Sequence, residues 1–177
     1  MPKRPPDPEA AIERAFDRLP SDDLNARVGV LVRREIEARI LVPLLAGLEA
    51  RFGREAVAGI LNRMIAAAAR RQGNELARQV GGRSLAEFRR AMEPWMRGGA
   101  LEVKPLEEGE TVWAYRVTRC RYAEMYRGLG IPALGVLLSC ARDAPLASGF
   151  NPAIRLERGP TILEGAAACD FRYRLAP

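Results

Sequence analysis

Apolar residues in the first hundred positions recur every three or four residues, which is the spacing of amphipathic helices. Proline, serine and acidic residues occupy the positions expected at helix starts, and glycines follow the ends of the apolar runs. Pro43 lies inside the second run and predicts a kink or an early break there. The pattern predicts four helices, from Pro8 to about Leu19, from Asp23 to near Gly53, from Arg54 to near Gly81, and from Ser84 to near Gly98.

After Gly99 the apolar period shortens to two residues, which is typical of strands. Turn-like segments rich in glycine, proline and acidic residues separate the alternating runs. We predict two hairpins and two intervening helices, the hairpins at 100–105 with 111–118 and at 154–158 with 171–175, the helices at 120–129 and 132–146.

These elements predict an α+β fold, with an N-terminal helical bundle packed on a C-terminal antiparallel sheet that has two intervening helices. We expect a single α+β domain over residues 7–177, in which 7–98 form the helical part and 99–177 the sheet part. The proline-rich residues 1–6 predict a disordered tail.

The composition is that of a soluble globular protein, because 48% of the 177 residues are hydrophobic and 28% are charged. The net charge is +6, and all basic residues except Lys3 and Lys104 are arginines, which are spread through every segment together with acids, as in Arg33-Arg34-Glu35. They form no basic run with interleaved aromatic residues, so we expect no nucleic-acid partner. The longest uncharged stretch, 128–141, is shorter than the ~20 residues of a membrane span, so we expect no membrane partner.

Histidine is absent from the chain, and this excludes catalytic triads, cysteine–histidine dyads and histidine-bound metals. The three cysteines cannot all pair, and no secretory signal pattern precedes them. We therefore expect free thiols in a cytoplasmic protein.

The cysteines are the leading candidates for chemistry. Cys120 stands where a strand gives way to a helix, between two arginines, and both features favour a thiolate. The alternative is a small buried residue at a strand end. Cys140 and Asp143 are three positions apart on a predicted helix, hence on one face, and could serve as nucleophile with acid or base, as two metal ligands, or as core residues. Cys169 opens the last strand, where its side chain and that of Asp170 point to opposite faces.

Other polar residues near the cysteines are candidates for binding. Glu124 and Tyr126 follow Cys120 on its helix and could line the same cleft, although surface exposure is the alternative. Arg142 could hold a substrate carboxylate. Asn151, in the turn after the second helix, could point toward the same cleft.

Several motifs resemble the L-2-amino-thiazoline-4-carboxylic acid hydrolase family. They are Arg34 to Arg39, Phe52 to Glu55, Thr118 to Tyr126, Leu138 to Asp143, Gly149 to Pro152, and Glu164-Gly165 with Cys169 to Tyr173. The resemblance implies a hydrolase that opens a cyclic isothiourea to give N-carbamoyl-cysteine. The family pattern has histidine where this chain has Ala168, and Arg-Thr-Gln-Thr where it has Arg158-Gly159-Pro160-Thr161.

The closing hairpin also resembles vinyl-reductase-type ligand-binding domains, in which cysteines of the central helix and the last hairpin can hold zinc. In this chain those residues would be Cys140 and Cys169.

The leading hypothesis is therefore a small hydrolase that opens a cyclic amidine or isothiourea such as 2-amino-thiazoline-4-carboxylate, acts on C–N bonds and needs no cofactor. A cysteine thiolate or an activated water would attack, and Asp143 or Glu124 would move the proton. The competing hypothesis is a non-catalytic sensory domain in which the cysteines bind zinc or a hydrophobic ligand. A homodimer through the helical half is a possible assembly in either case.

Overall fold

The computed structural model describes residues 7–176, so the tail predicted at 1–6 lies outside it. The helical half contains five α-helices, because Gly29, with a φ of 77°, divides the predicted second helix. Pro43 lies within the third helix, which continues past it, so the alternative of an early break is wrong. The helices are α1 (Pro8–Asp17), α2 (Leu24–Val28), α3 (Val30–Phe52), α4 (Arg54–Val80) and α5 (Leu85–Ala91).

The C-terminal half forms a four-stranded antiparallel sheet of order β1-β2-β4-β3, in which each predicted hairpin is present. The fold class is α+β, as predicted. The strands are β1 (Leu101–Glu108), β2 (Val112–Cys120), β3 (Ile154–Arg158) and β4 (Cys169–Leu175), and the helices between the hairpins are α6 (Arg121–Gly128), α7 (Pro132–Leu138) and α8 (Asp143–Phe150).

The helix predicted over 132–146 is broken at Ser139, whose φ and ψ are −121° and −66°. A single-turn 3₁₀ helix, Cys140–Arg142, follows, and α8 then begins at Asp143. Pro145 explains the break, because proline is tolerated in the first turn of a helix but clashes with the preceding turn in the interior. The break places Cys140 and Asp143 at a bend and not on a continuous helix face.

The inner face of the sheet packs on helices through aromatic side chains. Trp113 and Tyr173 stack with their ring centres 5.4 Å apart, and Phe88 of α5 meets Tyr173 edge-on at 5.0 Å. The outer face carries paired charges such as Arg116 with Asp170, whose atoms Nε and Oδ1 are 2.6 Å apart. This alternation sends Cys169 inward and Asp170 outward, as the sequence predicts.

Helices α4 and α8 approach each other so closely that only glycine is accommodated at two contacts. A Cβ atom on Gly149 would lie 2.1 Å from the carbonyl oxygen of Arg70, and one on Gly73 would lie 2.1 Å from that of Leu146. Both distances are far inside van der Waals contact. This contact fixes α8, and with it Asp143 at its first residue, against the helical half.

One row of apolar side chains on α3 faces solvent. Ile36, Ile40 and Leu44 belong to the apolar recurrence that predicts the second helix, yet each is more than half exposed, and Val32 is 50% exposed. The buried stripe of the same helix consists of Val30, Arg34, Ala38 and Leu45. None of the helices between residues 7 and 176 has the length and apolarity of a membrane span.

Candidate functional site

The three cysteines converge on one cavity of about 80 Å³ between the helical half and the sheet, here called the central cavity. Most of the other side chains that line the central cavity are apolar. Its polar side chains include Arg34, Cys120, Cys140, Asp143, Arg158 and Cys169.

Local structure places each thiol. Cys120 ends β2 and is the N-cap residue of α6, where its Sγ accepts a hydrogen bond from the backbone nitrogen of Ala123 at 3.4 Å. Cys169 begins β4, and its Sγ accepts from the backbone nitrogen of Ile162 at 3.1 Å. Cys140 lies in the bend between α7 and α8. Three segments that are far apart in the sequence thus place their thiols in the wall of the same cavity.

Burial disfavours ionisation of these thiols. It raises the pKa of Cys120 and Cys169, and it raises the pKa of Cys140 to about 12, with the nearby charge of Asp143 adding to the effect. The arginines beside Cys120 are engaged elsewhere, since Arg119 pairs with Glu124 and Arg121 donates to a backbone carbonyl. The thiolate expected at Cys120 is therefore disfavoured in the resting protein, although the predicted helix start is present.

Asp143 forms an ion pair with Arg158 inside the cavity wall. Burial raises the pKa of this carboxyl to about 6, and the charge of Arg158 opposes the shift without cancelling it. Arg158 also donates to the carbonyl oxygen of Cys140 at 3.2 Å and lies 5.3 Å from the ring centre of Phe171. Asp143 is therefore a carboxyl that can take up or release a proton near neutral pH.

A second group of charges lies at the α3 side of the cavity. Arg34, only 2% exposed, donates from Nη1 to Oε2 of Glu37 at 2.6 Å. Arg142 donates from Nε to the carbonyl oxygen of Leu138 at 2.8 Å, and its Nη2 lies 3.5 Å from the same Glu37 oxygen. Although burial opposes it, the charges of Arg34 and Arg142 hold the pKa of Glu37 below its ordinary value. Burial, together with the charge of Arg34, lowers the pKa of Arg142 to about 10.

Three of the residues predicted from sequence lie away from the cavity wall. Glu124 is exposed and pairs with Arg119, with Nε and Oε1 2.7 Å apart, because it occupies the solvent face of α6. Tyr126 is fully buried, but its hydroxyl lies 3.1 Å from that of Ser139 and its ring packs against α7. Asn151 donates to the carbonyl oxygen of Arg83 at 2.8 Å and so holds its turn in place. The structure therefore does not bring these three side chains to the central cavity, and Glu124 takes the surface position that was the alternative for it.

Arg142 does line the cavity, but its guanidinium is already engaged by Leu138 and Glu37. Sequence reasoning missed Arg34 and Arg158 as site residues. A signal for Arg34 existed: it stands one turn from both Val30 and Ala38, on the stripe that α3 buries.

The zinc site suggested by the closing hairpin does not match the geometry. Among the residues the structure describes, no three histidine, cysteine or acidic side chains are grouped closely enough to hold a metal ion. Structural zinc takes four protein ligands, and catalytic zinc usually takes three. Cys140 and Cys169 thus have no third protein ligand in this conformation.

A family model described as L-2-amino-thiazoline-4-carboxylic acid hydrolase matches residues 33–173. No curated protein matches the chain. Among solved structures, the chain is similar to the phenol-responsive sensory domain of the transcription activator PoxR with phenol, at 15% identity and a TM-score of 0.49, over 94% of this chain and 89% of that chain.

Proposed function

Because the chain belongs to the L-2-amino-thiazoline-4-carboxylic acid hydrolase family, we propose that it is a small hydrolase that opens the ring of a cyclic amidine or isothiourea. The observation that carries the proposal is the central cavity, in which a buried carboxyl of raised pKa, three thiols and buried arginines meet. All of these residues lie within the matched segment, 33–173.

The proposed reaction is the hydrolysis of 2-amino-thiazoline-4-carboxylate or a close relative. The ring carbon between nitrogen and sulfur becomes electrophilic once the amidine nitrogen is protonated. Water adds to this carbon as Asp143 accepts one of its protons. The carbon–sulfur bond then breaks and Asp143 returns that proton to the departing sulfur. The added hydroxyl becomes the urea carbonyl by releasing its remaining proton to solvent, which balances the proton that the amidine nitrogen took up. The product keeps both nitrogens, so for this substrate the broken bond is carbon–sulfur and not the carbon–nitrogen bond expected for cyclic amidines in general.

Water is favoured over a preformed thiolate as the nucleophile. Burial raises the pKa of Cys140 to about 12 and that of Asp143 to about 6, so full proton transfer from the thiol to the carboxylate is unfavourable. A general base need not complete the transfer before attack begins. Asp143 is therefore assigned as the base, and the thiols are assigned to the wall that surrounds the reacting carbon.

The test is turnover by purified protein. We expect 2-amino-thiazoline-4-carboxylate to yield N-carbamoyl-cysteine, measured by liquid chromatography with mass spectrometry. Asp143→Asn should lose at least about a hundredfold in rate, since general catalysis contributes about 10² to 10⁴. Asp170→Asn is the matched control, because Asp170 is exposed on the other face of the sheet. Absence of product from folded wild-type protein, or full activity of Asp143→Asn, would contradict the proposal.

A second candidate is a ligand-binding domain without catalysis. The largely apolar cavity wall and the raised thiol pKa values favour it, since such a cavity can hold a neutral ring without attacking it. The same sample distinguishes the two functions: saturable binding of the thiazoline with no product over many hours supports the binding domain.

A further inference from the structure

Arg34 has an unused donor. Its Nη1 bonds to Glu37, but its Nη2 is buried and has no hydrogen-bond partner among residues 7–176. A buried charged donor without a partner is costly, because the desolvation of that group is not compensated. Arg34 also forms part of the wall of the central cavity, which makes a molecule bound in that cavity the candidate for the missing partner.

The charge balance around Arg34 favours an anion as that partner. The cluster at this end contains the cations Arg33, Arg34 and Arg142 and the anions Glu37 and Asp22, which leaves one positive charge in excess. At the other end of the cavity, Arg158 and Asp143 neutralise each other. The excess charge is therefore local to the α3 side.

Neither of the other two cavity arginines, Arg142 and Arg158, has a fully buried nitrogen without a partner in the described part of the chain. Arg158 donates to Asp143 and to the carbonyl oxygen of Cys140. Arg142 donates to the carbonyl oxygen of Leu138 and lies beside Glu37. Arg34 thus differs from both because its Nη2 is fully buried and has no partner among residues 7–176, so that solvent does not satisfy this donor.

We propose that Nη2 of Arg34 binds the carboxylate of the ligand, and that the cavity therefore selects small monocarboxylates over neutral molecules of the same shape. The carboxylate site itself does not depend on the proposed hydrolysis. Only the identity of the ring attached to the carboxylate, a thiazoline, rests on the proposed function. It places that ring between Arg34 and Asp143, with the carboxylate at the α3 end and the reacting carbon toward the ion pair of Asp143 and Arg158. Arg34 is in this sense a specificity-determining residue.

The test uses a pair of ligands that differ only in charge and that the protein should not hydrolyse, thiazole-4-carboxylate and thiazole-4-carboxamide. Isothermal titration calorimetry on wild-type protein should give a dissociation constant at least about tenfold lower for the acid, as expected for a hydrogen bond to a charged group. Equal affinity for acid and amide, or tighter binding of the amide, overturns the proposal. This comparison requires no variant.

Three variants assign the preference to Arg34. Arg34→Met should weaken binding of the acid at least about tenfold and change binding of the amide less than about twofold. Glu37 keeps Arg33 at 2.9 Å in this variant, so no buried carboxylate is left alone. Arg34→Lys retains the charge and should keep part of the preference. The control Arg39→Met removes an exposed arginine of the same helix, one that pairs with Glu35, and should bind both ligands as wild type does.

The outcomes separate this inference from the proposed function. In one outcome, the wild type prefers the acid, Arg34→Met loses this preference, and no thiazoline is hydrolysed. This outcome supports the carboxylate site and contradicts the catalytic function. In another outcome, the wild type hydrolyses the thiazoline and Arg34→Met prefers the acid as strongly as the wild type does. This outcome contradicts the carboxylate site and leaves the proposed function in place. If Arg34→Met does not fold, Arg34→Lys and the wild-type comparison decide the question.

Discussion

Replacing Asp143 by asparagine should change how the stability of the protein depends on pH. The folded-state pKa of this carboxyl is raised from 3.8 to about 6 by burial. Between these two values the folded protein binds a proton that the unfolded chain does not. The stabilisation from this proton is therefore fully present below pH 3.8 and is lost as the pH rises through 6.

The size of the effect follows from the two pKa values. From pH 4.5 to pH 7, a single carboxyl shifted from 3.8 to about 6 should remove about 2 kcal/mol from the free energy of unfolding. Asp143→Asn has no such proton. The difference in unfolding free energy between wild type and Asp143→Asn should thus become less favourable to wild type by about 2 kcal/mol over this range.

Urea unfolding at pH 4.5 and pH 7 measures this difference. Asp170→Asn is the control with the opposite sign, because the hydrogen bonds and charge of Arg116 lower the pKa of Asp170, and its contribution is lost as the pH falls. A difference between wild type and Asp143→Asn that stays constant with pH, or that grows in favour of wild type, would show that the Asp143 carboxyl is ionised throughout and would refute its assignment as a base of raised pKa.

Four further predictions follow. The rate of thiazoline hydrolysis should rise through about pH 6, and a pH–rate profile that is unchanged in Asp143→Asn would assign this limb to another group. Gly149→Ala should lower the free energy of unfolding by at least about 2 kcal/mol in urea, whereas Gly59→Ala, whose Cβ would lie 3.7 Å from the nearest atom, should be neutral or stabilising; equal stability would contradict the close contact of α4 and α8. Iodoacetamide at pH 7.5 should modify the three cysteines far more slowly in folded than in urea-unfolded protein, as judged by mass spectrometry, and equal rates would indicate exposed thiols. If the chain forms a homodimer through the helical half, Ile40→Glu on the exposed row of α3 should yield monomer in light scattering, whereas Arg39→Gln should not.

The sequence predicted those parts of the fold that depend on local pattern. Both hairpins and the capping box at Ser84, which is formed in the structure, are signalled by residues that lie close together in the chain. The break at Ser139 was missed because its cause, Pro145, acts one and a half turns later. The exposure of Ile36 and Ile40 was not predicted, because the spacing of apolar residues does not show which side of a helix packs against another element.

The candidate site was predicted only in part, for a related reason. The cysteines and Asp143 were identified from their chemistry, but whether Glu124 or Tyr126 faced the same cleft depended on packing that the sequence does not encode locally. A thiolate at Cys120 is disfavoured in the structure because burial raises the pKa of this thiol and the two neighbouring arginines bond elsewhere. Arg34 lies 86 residues before Cys120 in the chain. Only the tertiary fold shows that both residues line the same cavity.

The position of the central cavity links ligand occupancy to the integrity of the whole chain. Its wall joins α3 of the helical half to the ends of β2, β3 and β4, so separating the halves destroys the cavity. A ligand that binds only the closed arrangement adds about 2.7 kcal/mol of stability at a concentration of one hundred dissociation constants. Occupancy of the cavity should therefore make separation of the two halves rarer and slow the proteolysis of the chain.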